Sequence, residues 1–408
     1  MMLTFNFYHP EKNHPDWSSL LREAQGLSKE LLPLLDRPQK RTDFWRRRLA
    51  AGKTAIKNYG LNRSLKKRGR EDFRPLYFIW TLTRVCNFSC IYCDDHTGRK
   101  YPDLSNAGML NTAQAVELLK IMRTGTASVY FAGGEPTARP DLPALARAAR
   151  DLKYFPIVLN TNGSRFHHVL KLESWKSLLA DLDIVVVSLD GLSLDVLRDM
   201  WRYRNPIDVL RNLLVLRELS KELKFKLMIN MVIQPGYLEE AWSVLNLAND
   251  LGIWLTPVPQ NRGSCIDRRL LDDPAYIELA LEILKRQQAG YRIAGSPRLN
   301  RRLLFAEKLN CRNTVKPHLD FNGRLFWPCK SSVNVAPETV DVLNFADVDS
   351  LYRHACTLVN PTGFHGPAKN QCGGNCNWAQ NYTTDSYLYG LDHPFHLLRE
   401  AAGFSRAV

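Results

Sequence analysis

Residues 128–163 read SVYFAGGEPTARPDLPALARAARDLKYFPIVLNTNG. The apolar run Ser128–Ala132 stops at two glycines, and Asp141–Leu152 then repeats its apolar residues at helical spacing. Phe155–Asn160 is apolar again and ends on a turn. Strand, helix and strand make one βαβ unit, and the same alternation extends in both directions. The runs at 77–83, 183–189, 225–233 and 253–258 predict four more buried strands. Helical patterns at 112–123, 170–179, 206–222 and 238–251 fall between them. Six strands alternating with helices predict a parallel sheet, either doubly wound or a full or partial barrel. Periodicity alone does not choose between these.

Outside this array the pattern changes. Residues 1–75 carry helical spacing cut into short helices by Pro33 and Pro38, with no convincing strand. After about residue 270 the alternation gives way to a helix at 274–287 and a tail rich in Cys, Gly, Pro and Asn. The expected division is a helical extension (1–75), a barrel (76–270) and a Cys-rich domain (271–408).

The 408 residues are 45% hydrophobic and 24% charged, a globular balance that excludes a disordered chain, a collagen-like fibre and a coiled-coil rod. The first thirty residues do not read as a signal peptide, and no apolar run is long enough to cross a bilayer. The expectation is a cytoplasmic protein. Net charge is +14, and thirteen Lys and Arg against one acid, Asp43, fall within residues 37–70. Such a block suits an anionic partner or simply a solvated face. Phe44, Trp45, Leu49, Ile56 and Tyr59 are interleaved with it, which suits the inner face of an anionic membrane better than nucleic acid.

Nine cysteines in a reducing compartment point to metal or redox chemistry. Cys86, Cys90 and Cys93 lie within eight residues, directly after the first strand. Three thiolates on one loop suit an iron–sulfur cluster with one iron left open, or a zinc knuckle completed by His96. The spacing C-x3-C-x2-C, together with Gly133-Gly134-Glu135-Pro136-Thr137 at the end of the second strand, resembles the radical S-adenosylmethionine (radical SAM) superfamily. That resemblance covers residues 76–260 and implies a partial parallel (β/α)6 barrel. It also implies a [4Fe–4S] cluster on Cys86, Cys90 and Cys93 whose open iron binds SAM. Gly133, Gly134 and Glu135 would hold the methionine end of SAM, and Tyr92 would lie beside the adenine. Asn160 and Asn162, Ser188 and Asp190, and more weakly Asn230, sit where the family contacts SAM. Taken alone, the two glycines read as an ordinary turn, Asp190 as a helix cap and Asn230 as a partner for buried backbone.

A second set, Cys311, Cys329, Cys372 and Cys376, resembles the twitch form of the SPASM domain, which implies one auxiliary [4Fe–4S] cluster. Residues 322–329 predict a hairpin turned at Gly323, and Gly373-Gly374 would let amides approach the cluster. A four-cysteine zinc ribbon is the alternative. Cys356 has no slot in this pattern, as a free thiol or a substitute ligand, and Cys265 reads as a core or loop thiol.

The resemblance implies reductive cleavage of SAM to a 5′-deoxyadenosyl radical that removes hydrogen from a C–H bond, with a flavodoxin or ferredoxin as electron donor. No residue is assigned as catalytic. The basic block favours a membrane-associated lipid or isoprenoid substrate, with a peptide or a sugar or aminocyclitol as alternatives. The opposing reading is a metal-bearing scaffold that binds RNA.

Overall fold

The structure is a computed structural model that describes residues 13–70, 72–93, 107–309, 313–327, 329–330, 338–358 and 377–405. Helix α1 (Trp17–Leu31) starts where the Asp16 carboxylate accepts the amides of Ser18 and Ser19 at 3.0 and 3.2 Å. After a 3-10 turn at Leu32–Leu34, α2 runs without a break from Arg41 to Lys67. The expectation of several short helices is corrected here: Pro33 and Pro38 both fall in the connection, and nothing beyond them interrupts the helix.

Six parallel strands follow in spatial order: β1 (Tyr77–Thr81), β2 (Ser128–Ala132), β3 (Ile157–Thr161), β4 (Ile184–Ser188), β5 (Lys226–Ile233) and β6 (Trp254–Pro259). The helices between them include α3 (Thr112–Arg123) and α4 (Leu142–Asp151). The predicted helix at 170–179 is corrected: the connection holds two four-residue helices, α5 (Phe166–Val169) and α6 (Leu178–Asp181), with a 3-10 turn between them. Its apolar residues Leu170, Trp175, Leu178 and Leu179 are buried as expected, without a continuous helix to carry them. Helix α7 (Leu194–Trp201), which the sequence did not suggest, precedes α8 (Ile207–Leu223), and α9 (Leu238–Leu251) joins β5 to β6.

Beyond β6 come a small hairpin, β7 (Asn261–Arg262) and β8 (Cys265–Ile266), and helices α10 (Arg268–Leu271), α11 (Pro274–Gln288) and α12 (Pro297–Leu304). Strand β9 (His318–Leu319) then pairs parallel with β1, and β10 (Arg324–Trp327) and β11 (Glu338–Asp341) continue antiparallel. The result is one nine-stranded sheet, so the segment assigned to a separate Cys-rich domain shares the barrel's sheet. The predicted hairpin is present, with Gly323 at φ +80° in its turn. Helices α13 (Val348–Leu358), α14 (Tyr382–Gly390) and α15 (Pro394–Ser405) complete the chain.

Along β1, β2 and β6 the residues facing the helices are essentially solvent-free, among them Phe78, Trp80, Val129, Phe131 and Leu255. Their inward neighbours Tyr77, Ile79, Tyr130, Trp254, Thr256 and Val258 are partly exposed. The barrel is therefore hollow on the side where β6 and β1 are not bonded to each other. On the β3–β5 side it is filled by Val158, Ile184, Val186 and Met228.

Candidate active site

The cysteine loop leaves the carboxyl end of β1 and is fastened to its neighbours by backbone. The amides of Gly134 and Glu135 donate to the carbonyls of Thr83 (2.7 Å) and Val85 (2.8 Å). This closeness is why both positions are glycine: a Cβ on Gly133 would stand 2.5 Å from the Thr83 carbonyl, and one on Gly134 2.3 Å from that of Val85. On the other side, the amides of Ser89 and Ile91 donate to Trp201 and Met200 of α7, each at 3.0 Å. Phe88 stacks between Trp201 and Tyr203, its ring centroid 5.3 and 4.4 Å from theirs.

Cys86, Cys90 and Cys93 are all partly buried. Burial pushes the Cys86 thiol up to about 12 and the Cys90 thiol well above its ordinary value. Thiolates there need a compensating cation, which is what iron supplies as it displaces their protons. Among the described residues no three Cys, His, Asp or Glu converge as the ligands of one ion would. His96 lies outside the described residues.

Glu135 is fully buried and receives four hydrogen bonds: from the amide and hydroxyl of Thr137, the Thr161 hydroxyl and the Asn162 amide, all within 2.9 Å. Burial raises its pKa, and those donors oppose the rise. Its carboxylate thus binds the loop after β2 to the loop after β3. The carbonyls of Gly133 and Gly134 accept no hydrogen bond from any described residue, which leaves both as acceptors for a ligand. Asn162 donates to Asn87 (2.9 Å) and lies 3.9 Å from the Cys86 sulfur, and Asn87 in turn donates to Ser164.

Asp190 is likewise committed. It accepts from the Tyr92 hydroxyl (2.5 Å), Trp201 Nε1 (2.8 Å) and the Val232 amide (2.8 Å), and burial raises its pKa. It does not cap a helix, since Ser193 stands at the cap position of α7. Tyr92 and Asp190 are therefore brought together, tying the cysteine loop to the ends of β4 and β5. Asn160, Ser188 and Asn230 occupy the upper, inward positions of β3, β4 and β5, with Ser188 opposite Asn230 in the ladder. Asn160 Oδ1 is buried without a partner among the described residues, an acceptor suited to a ligand hydroxyl or amine. Asn87, Thr161, Trp201 and Tyr203 were missed, because their roles are contacts between segments that no local pattern records.

Of the second cysteine set only Cys329 is described; Cys311, Cys372 and Cys376 lie outside the described residues. Cys329 is buried just beyond β10, its sulfur 3.9 Å from Asn381 Nδ2. Cys265 stands on β8, whose neighbours Ser264 and Ile266 are bonded to Asn377. Cys356, pushed up to about 11 by burial, lies near Asp72, Arg74 and Arg70.

Comparison with known proteins agrees with this arrangement. Residues 80–248 match the model of the Radical SAM superfamily. Probable GTP 3′,8-cyclase of Saccharolobus islandicus (strain M.14.25 / Kamchatka #1) is 30% identical over 178 residues, 42% of this chain and 53% of the relative. Fe-coproporphyrin III synthase of Methanosarcina barkeri (strain Fusaro / DSM 804) is 35% identical over 124 residues, 30% of this chain and 29% of that protein. The chain spans about half the length of the cyclases it matches, and less of the porphyrin enzyme. The fold is similar to that of Streptococcus suis SuiB (TM-score 0.51, 18% identity, 68% of this chain and 66% of SuiB). It is also similar to native anSMEcpe with bound AdoMet (TM-score 0.50, 16% identity, 80% of this chain and all of that one). The chain carries a radical SAM domain. Its cofactors are those of the superfamily, a [4Fe–4S] cluster and SAM, and the loop cysteines, the glycine carbonyls and Asn160 fit them.

Proposed function

We propose that the protein reductively cleaves SAM and removes a hydrogen atom from a C–H bond of a substrate held in the barrel lumen. The observation that carries this is the cysteine loop bound backbone to backbone to the glycine segment at the strands' carboxyl end. When bound, cluster and SAM supply one electron and a 5′-deoxyadenosyl radical. The chain's own residues position and enclose. Glu135 and Asp190 lock the loops, the Gly133 and Gly134 carbonyls accept the ammonium of SAM, and Asn160, Ser188 and Asn230 line the wall beneath. The test is anaerobic reconstitution with iron, sulfide, SAM and dithionite. 5′-Deoxyadenosine should form with the wild type and not with Cys86→Ala, Cys90→Ala or Cys93→Ala. A wild type that binds iron yet forms none overturns the reading.

For the substrate, the lumen below Asn160 is lined by Tyr77, Ile79, Tyr130, Trp254 and Thr256, a mainly apolar and aromatic wall with the Lys226 ammonium at its foot. That lining supports an apolar or ring-bearing body, as in a lipid or isoprenoid, over a sugar that needs dense hydrogen bonding. The basic block does not add to this reading, because α2 lies at the opposite ends of the strands.

The tail is proposed to hold an auxiliary [4Fe–4S] cluster on Cys311, Cys329, Cys372 and Cys376. A Cys86/Cys90/Cys93→Ala triple variant should keep about four irons, one cubane's content. Adding Cys265→Ala or Cys356→Ala to it should leave that iron in place, and loss with either assigns that cysteine as a ligand instead.

A further inference from the structure

We infer that the outward face of α2 is a docking surface for an anionic lipid bilayer. The inner face of this helix is spent on the barrel's base. Arg47 pairs with Asp183, just before β4, at 2.5 Å. Asn58 donates to the carbonyls of Pro75 and Gly125, ahead of β1 and β2, at 2.7 and 2.8 Å. Asn62 both accepts from and donates to the backbone of Arg74, at 2.7 and 2.9 Å. The helix therefore crosses the amino ends of the strands, and its other face looks away from the barrel.

That other face carries an apolar stripe over the first half of the helix, flanked by cations and continued by Arg63 and Lys67 in the second half. Trp45, Leu49 and Ile56 are 45%, 64% and 73% exposed, and at about 100° per residue they fall within about 40° of one another. Arg41, Arg46, Lys53, Lys57, Arg63 and Lys67 are exposed around them, and Asp43 is the helix's one acid, 3.5 Å from Arg46. A second pair of exposed apolar side chains lies on α15, whose start is tied to α2. Lys66 pairs with Asp392, just ahead of α15, at 2.5 Å, and Phe395 and Leu398 on that helix are 80% and 64% exposed. Among the described residues, the four most exposed large apolar side chains are thus all on α2 or α15.

Cations alone would serve RNA as well as lipid. Leu49, Ile56 and Leu398 decide for lipid: branched aliphatic groups neither stack on bases nor bond to phosphate, whereas a bilayer takes them into its headgroup–acyl boundary. The cysteine loop lies at the far ends of the strands, so a protein seated this way keeps its catalytic mouth open to solvent. The inference does not depend on the radical SAM reading.

The test uses the full-length protein with vesicles of equal phosphatidylglycerol and phosphatidylcholine, and of phosphatidylcholine alone. Wild type should sediment with the anionic vesicles and be released by high salt. Each cation contributes about fivefold in affinity near an anionic surface, so Lys53→Glu/Lys57→Glu/Arg63→Glu should lose at least about 100-fold. Leu49→Ser/Ile56→Ser should lose at least about tenfold at unchanged charge. All these positions are exposed, so thermal midpoints and 5′-deoxyadenosine formation should match the wild type. The inference is overturned if wild type ignores anionic vesicles, if neither variant weakens binding, or if single-stranded RNA strips the protein from vesicles at stoichiometric amounts.

Discussion

At the scale of single residues, the site is held by groups whose bonding capacity is already used, so small changes act through geometry. Gly134→Ala adds one methyl group where the Val85 carbonyl stands 2.3 Å and the Arg84 carbonyl 2.7 Å from the new atom. Backbone cannot rotate out of the way as a side chain would, so the cysteine loop must move. A shift of about 1 Å costs on the order of 100-fold in a positioned reaction. Deoxyadenosine formation should fall by about that factor, and iron analysis should show the loop's cluster partly lost. Lys226 offers a test at the foot of the lumen. It is buried, its ammonium lies 3.6 Å from the Trp254 ring centroid, and burial lowers its pKa to about 8. From 10.5 to about 8 the penalty at neutral pH is at most about 3 kcal/mol, partly offset by the ring. A lysine whose folded pKa is depressed costs most below that pKa, and the cost fades as pH rises toward the unfolded value. Lys226→Met should therefore be more stable than wild type at pH 7, with the gap closing between about pH 8 and 10.5. Urea unfolding at a series of pH values measures this.

Among the elements, α2 is the one whose reading depends most on its surroundings. Arg47 and Asp183 are both mostly buried, and Asp183 also accepts the Ile157 amide. Burial raises the Asp183 pKa and Arg47 opposes that rise. Arg47→Ala should cost about 3 kcal/mol in chemical unfolding, because it strands a buried carboxylate. The loss should shrink as pH falls through the raised pKa of that carboxyl, since its proton then replaces the missing cation. Strands β1 to β6 were legible in the sequence to within two residues at each end, because each is an apolar run between turns. Helix α2 was legible as helical but not as continuous or docked. Its buried positions Arg47, Ala51, Asn58 and Asn62 hold three polar side chains, so the hydrophobic period that marks a packed helix is missing. Helix α7 escaped notice because Trp201 and Met200 serve the cysteine loop, a contact more than a hundred residues away in sequence. The site divided in the same way. The cysteines and glycines carry their spacing with them, whereas the hydrogen bonds that occupy Glu135 and Asp190 arise only when four loops meet.

For the whole molecule, the tail closes what the six parallel strands leave open. β9 extends the sheet beside β1, Trp378 lies against His318 with ring centroids 5.4 Å apart, and Asn377 is bonded to the hairpin after β6. The segment just ahead of α14 thus reaches from β9 to the hairpin after β6. Helix α14 itself is tied to the base, where Asn62 donates to the Tyr387 hydroxyl at 3.1 Å and Lys66 to the Leu388 carbonyl at 2.9 Å. Asn62→Ala and Tyr387→Phe should be coupled by about 1 kcal/mol in a double-mutant cycle of unfolding free energies. Additive effects would mean that tail and base are held together by packing alone. No described helix is long and apolar enough to cross a membrane.

The pairing of Asn62 with Tyr387 also has a bearing on synthesis. The two residues are 325 positions apart. At 5–20 residues per second, a ribosome reaches the second roughly 15 to 65 s after the first. For that time Asn62 can hold the Arg74 backbone but has no tail to meet, and the hairpin after β6 waits for Asn377. A nascent chain stalled before Tyr382 would therefore lack the tail's hydrogen bonds to the base. Iron delivered at that stage would meet a chain whose tail is not yet tied to the base, whereas iron delivered after release would meet the tied form.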